Sequence, residues 1–90
     1  MRHIKKIQVQ FFNRIAEGIK PFEIRLNDCF YQCGDEIELH EVNFLGLKTG
    51  RFITATIGFV SDYAQKDGFV VFGLLNISVV QKIQILEEVA

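Results

Sequence analysis

Ninety residues with a formal charge of −1 make one domain, and leave no room for a second. Hydrophobic residues form 49% of the chain and only one Pro interrupts it, which excludes a disordered tail or linker as the main content. Ten basic residues against eleven acidic ones lack the positive excess of a protein that grips duplex nucleic acid through many phosphates, so only a local basic cleft is open to it.

Ile4 to Val9 alternates with Lys5, Lys6 and Gln8, which predicts a short first strand. Phe11, Phe12, Ile15, Ala16 and Ile19 then fall on one apolar stripe at helical period. Asn13, Arg14 and Glu17 take the opposite face. Gln8 and Val9 are poor caps for the start, whereas Gly18 stands where a left-handed residue stops a helix. After Gly18 the period changes to two. Phe22, Ile24 and Leu26 share one face of a strand, and Glu23, Arg25 and Asn27 the other. Pro21 fits near the first position of that strand.

Asn27-Asp28 and Cys33-Gly34-Asp35 signal turns, and Ile37 and Leu39 alternate with Glu36, Glu38 and His40 in a third strand. Phe44 to Gly50 reads as a loop. Arg51 to Asp62 is a long strand rich in β-branched and aromatic residues, and Gly58 inside it predicts a bulge or barrel corner. Asp67-Gly68 is a turn dipeptide, followed by the apolar strand Phe69 to Leu75. Ile77 to Ile85 reads equally as a last strand or a helix. The sum is an α+β, mostly β domain of about five or six strands. Such a sheet is most economically closed into a small barrel with one early helix flanking it.

Cys29 and Cys33 are too few for a disulfide framework, and His3 and His40 lie too far off to complete a four-ligand zinc site. Free thiols, no signal-peptide pattern and no apolar run of about 18 residues predict a cytoplasmic protein that binds no membrane. No Gly-rich phosphate loop or nucleophile elbow is present, so neither cofactor nor metal is expected.

Gly18-Ile19-Lys20-Pro21-Phe22-Glu23-Ile24-Arg25 fits the pattern G-x-K-x-x-E-x-R. It resembles the signature of the ASCH superfamily (activating signal cointegrator homology), whose domains are PUA-like. The chain is most similar to the small ASCH-like domain-of-unknown-function family of phage and bacterial proteins. Asn27-Asp28 with Phe30 and Gly34 to Leu39, then Thr49-Gly50-Arg51, then Lys66 to Val71 fit its later blocks. The resemblance covers about residues 3–77 and leaves 78–90 as a C-terminal extension. It implies a PUA-like (ASCH-type) β-barrel with a cleft beside the helix, lined by the signature. It also implies binding of RNA or other nucleic acid.

One bacterial branch of that superfamily is a small amidohydrolase of N4-acylated cytidine with a catalytic Lys at the position of Lys20. A Thr stands there where this chain has Glu23, and a further Glu comes from a helical insertion that Val60 to Lys66 is too short to hold. Pro21 also replaces the usual Thr beside the Lys.

Lys20, Glu23 and Arg25 are thus the candidate ligand-binding residues. Arg offers a planar fork to a phosphate or base carbonyl, Lys a mobile point charge, and Glu can orient both. A Glu and an Arg two apart on a strand also make an ordinary structural ion pair. Lys20 shares the parity of Phe22 and Ile24, so it reaches Glu23 only if the chain kinks at Pro21. Arg51, beside Lys48, is a further candidate phosphate contact or a solvated hairpin charge. Phe30, Tyr31, Phe44 and Tyr63 lie in or near turns, where rings either close the core or stack bases, at about 1–3 kcal/mol each. Tyr63 and Phe44, in the longer loops, are the candidates for stacking.

The expected function is a nucleic-acid or nucleotide-binding module for RNA, a single strand or a nucleoside. As an enzyme, the chain would use Lys20 as base or nucleophile and Glu23 to move the proton. As a protein-interaction module of a phage or mobile element, it would pair as a homodimer through Ile77 to Ile85.

Overall fold

The computed structural model describes residues 1–82. Five strands and one helix follow in the order β1 (Arg2–Gln8), α1 (Val9–Ala16), β2 (Phe22–Leu26), β3 (Glu36–Val42), β4 (Lys48–Ser61) and β5 (Phe69–Gln81). They form a single sheet in the order β1-β3-β4-β5-β2. β1 runs parallel to β3, and every other pairing is antiparallel. A parallel pair needs a long crossover, which α1 and β2 supply. The sheet curls into a half-barrel with β1 and β2 as its two edges.

One face of the curl is the core. Ile37 and Leu39 of β3, Ile53, Ala55 and Ile57 of β4, and Val70, Phe72 and Leu74 of β5 line it at period two, and Phe12 and Ile15 of α1 cover it. Of the apolar helical stripe only these last two residues are buried; Phe11 is 44% exposed and Ile19 64%. The helix is short and touches the sheet along a narrow line, which leaves Phe11 free to wall a cleft. Tyr31 closes the core from its turn, with its ring 4.7 Å from Phe72 and 4.8 Å from His3. Burial, with a hydrogen bond to the Cys29 thiol, pushes its phenol well above the ordinary range.

The helix ends as the sequence predicts. Gly18 has φ +80° and its N–H donates to Ile15 O at 3.0 Å, while Ile19 N–H donates to Arg14 O at 2.9 Å. This is the paired Schellman closure. Its start carries no side-chain cap on Gln8.

Two bulges shape the β4–β5 hairpin. β5 has one extra residue between the pairs Thr54–Ser78 and Thr56–Leu75, where Asn76 takes φ 55°. β4 has one between Ile57–Leu74 and Val60–Phe72, at the expected Gly58. Beyond the first bulge β5 continues to Gln81, so the segment Ile77 to Ile85 is strand from Ile77 to Gln81, and its part after Lys82 lies outside the described residues. No helix among the described residues is long and apolar enough to cross a membrane.

Candidate functional site

β2 turns its polar side inward. Glu23 stands opposite Phe72 and Arg25 opposite Val70, both core-facing residues of β5. Phe22, Ile24 and Leu26 face out and are 38–51% exposed. Period-two alternation fixes which residues share a face but not which face looks in. Here the inward carboxylate is tolerated because two cations meet it, since a buried charge must be paired.

Lys20 Nζ donates to Glu23 Oε1 at 2.7 Å and Arg25 Nε donates to Glu23 Oε2 at 2.7 Å. The Glu23 side chain is 6% exposed, those of Lys20 and Arg25 20% and 22%. Lys20 reaches the carboxylate because the chain leaves its helical path at Gly18 and enters the strand through Pro21, whose carbonyl accepts from Leu74 N at 3.0 Å. The ammonium also donates to Phe22 O at 2.9 Å and lies 5.0 Å from the Phe22 ring centroid and 5.6 Å from that of Phe11. Two aromatic rings beside one ammonium hold it by cation–π attraction. Arg25 Nη2 reaches across to the Lys6 carbonyl on β1 at 2.9 Å.

These groups sit in a cleft of about 510 Å³ between β1, the start of α1 and β2, with Phe11, Ile24, Leu26 and Phe69 as apolar walls and Lys6 and Gln8 on the rim. Such a volume suits a small organic ligand. Three of the lining residues are cationic and one is acidic, so the cleft is positive although the chain is not. A guanidinium has five N–H donors. Among the described residues Nε and Nη2 of Arg25 meet protein acceptors, while Nη1 meets none.

Arg51 lies elsewhere. Its Nε and Nη2 grip both oxygens of Glu41 at 3.0 and 2.6 Å, Nη2 also donates to Asn13 Oδ1 at 3.1 Å, and the guanidinium stacks 4.5 Å from the Phe12 ring. Thr49 Oγ1 donates to the same Glu41 carboxylate. The Arg51 hydrogen bonds hold the Glu41 carboxyl below its usual range. Arg51 thus ties α1 to β3 and β4 and does not line the cleft. Tyr63 is 84% exposed in the turn before β5 and does not line it either. Phe44, 95% exposed, borders a separate groove with Gln8, Val9 and Val42.

Sequence reasoning missed Lys6, Gln8, Phe11 and Phe69 as cleft residues, because the curl that brings β1 against β2 leaves no local trace. It also missed the buried Glu41 and the buried His3, whose Nε2 lies 2.8 Å from Asp35 Oδ2. Glu41 was findable in principle, since it continues the inward parity of Ile37 and Leu39.

No curated protein matches the chain. A family model described as Domain of unknown function (DUF3850) matches residues 2–74, which include the signature segment, the cleft and most of the core. The chain belongs to that family.

Proposed function

We propose that the chain is a nucleic-acid or nucleotide-binding module of the ASCH, PUA-like kind. The convergence of Lys20, Glu23 and Arg25 on one cleft carries this reading. The curled sheet with one helix at its open seam is consistent with a PUA-like barrel. The free donors of Arg25 and Lys20 suit a phosphate or a base carbonyl, and Glu23 suits an exocyclic amine. Phe11 and Phe69 offer ring faces against which a base can lie. With a net charge of −1, a nucleoside or a short unpaired stretch of RNA fits better than a long duplex.

The test is a binding screen against single-stranded RNA, single-stranded DNA and free nucleosides, using wild type and a Lys20→Ala/Arg25→Ala double variant. Loss of binding in the variant, with its fold retained by circular dichroism, is the expected result. Equal binding by both proteins removes the cleft from the ligand site.

The 2.7 Å contact between the Lys20 ammonium and the Glu23 carboxylate also suits proton transfer, and favours a second reading as a nucleoside amidohydrolase. Acetate released from N4-acetylcytidine by wild type and not by Lys20→Ala supports it; no turnover across a panel of acylated nucleosides ends it.

A further inference from the structure

Among the described residues, the far half of β5 has a strand edge with nothing on it. β2 occupies that side of β5 only along Phe69 to Gly73, and Leu74 N is taken by Pro21 O. From Leu75 to Gln81 the strand pairs, among the described residues, with β4 alone. Lys82 N donates to Gly50 O of β4 at 2.8 Å. Alternation along the strand therefore turns the N–H and C=O groups of Ser78 and Val80 towards β4, and those of Ile77, Val79 and Gln81 outwards.

Its side chains set this edge apart. Leu75-Asn76-Ile77-Ser78-Val79-Val80-Gln81 carries no charge and no Pro. Strand edges are normally guarded by charge or Pro. β1 is guarded by Arg2, Lys5 and Lys6, and β2 by Glu23 and Arg25. Leu75 is 53% exposed and Val79 47%. The family match stops at Leu74, one residue before this segment starts.

We propose that two copies of the chain pair antiparallel along Leu75 to Gln81, joining their half-barrels into one continuous sheet. A second copy fits better than a foreign strand. The segment is uncharged, so self-pairing sets no like charges opposite one another, and a two-fold axis makes it its own complement. The length of the free edge also fixes the register. Using all of it centres the axis on Ser78, which places Ile77 of one copy opposite Val79 of the other. Those are residues whose backbone groups point outward, and two β-branched side chains make a favourable cross-strand pair. The pairing does not depend on what the cleft binds.

The test uses the full chain in sedimentation and light scattering across a concentration series. Wild type is expected at twice the chain mass, and Val79→Pro at the chain mass. Proline there removes an outward donor that β4 does not use, so the hairpin survives. A second variant does not rely on that. Ser78→Cys, in a Cys29→Ser/Cys33→Ser background, places each new thiol at a non-hydrogen-bonded site across the axis, about 4.5 Å apart at Cα, within disulfide reach. Mild oxidation is expected to give a covalent dimer, and Thr54→Cys in the same background none. A wild type that stays monomeric throughout overturns the proposal. So does a dimer in which Ser78→Cys fails to cross-link.

Discussion

Arg25 of β2 hydrogen-bonds the main-chain oxygen of Lys6 on β1, at 2.9 Å from Nη2. The two strands stand at opposite ends of the sheet order, so this one side chain spans the seam that the curled sheet leaves open. Its Nε is committed to Glu23. Closure of the seam and neutralisation of the buried carboxylate are therefore tasks of the same guanidinium.

Arg25→Ala is expected to cost about 3 kcal/mol, the usual consequence of stripping a partner from a buried charge. Arg25→Lys should cost less but not recover wild-type stability. An ammonium is a point donor, and cannot serve Glu23 and the Lys6 carbonyl with the geometry of a fork. Urea denaturation of the three proteins at neutral pH checks the order. A full rescue by Lys would show that only the charge matters.

Stability should fall on acidification below the ordinary carboxylate value of 4.5. Asp35, Glu38 and Glu41 are all held below their usual values, by His3, His40 and Arg51 first of all. A depressed carboxyl stabilises the fold above its unfolded value and loses that contribution as pH drops through the folded one. Arg51→Met should destabilise strongly at neutral pH and much less in acid, where Glu41 is protonated and no longer needs the guanidinium. Melting curves of both proteins at the two pH values test this, and an unchanged gap would exclude the Glu41 pairing as the cause.

The alkaline side should depend on Tyr31. Burial raises its phenol above the ordinary value of 10.0, so above that pH the unfolded chain releases a proton that the folded chain keeps. Stability then declines as pH rises. Tyr31→Phe cannot ionise, and should lose that part of the alkaline decline. Denaturation midpoints between neutral pH and the alkaline range provide the comparison.

Gly18→Ala is expected to cost about 1–2 kcal/mol, since an L-residue must adopt φ +80° there. An added Cβ meets nothing within 4 Å, so the cost is conformational and not steric. Gly18→Asn should recover part of it. Thermal melts of both variants decide between this account and a packing role.

Much of this was legible in the residues. The change of period after Gly18 marks the helix end, Gly58 marks a bulge, and the spacing of Lys20, Glu23 and Arg25 anticipates their meeting once Pro21 redirects the chain. What escaped the sequence is three-dimensional. Phe22, Ile24 and Leu26 look like a core face, yet β2 lies at an edge with no layer outside it among the described residues, and its inward positions go to the carboxylate and guanidinium that line the cleft. Arg51 resembled a free cation because its partner Glu41 is ten residues away across a register shift. Tyr31 and Tyr63 occupy similar turn contexts, and only the fold distinguishes the buried ring from the solvated one.

The bulge at Asn76 divides the hairpin into two halves that can vary separately. The pairs Thr54–Ser78 and Thr56–Leu75 on either side of it share one face of the sheet, so the extra residue is absorbed without turning the strand over. Ile77 and Val79 stay on the side of Leu74, and Ser78 and Val80 on the side of Leu75. Removing Asn76 would keep those faces and take out the local bend. A lineage could thus re-aim the protruding arm by a single-codon deletion and leave the Lys20–Glu23–Arg25 recess untouched.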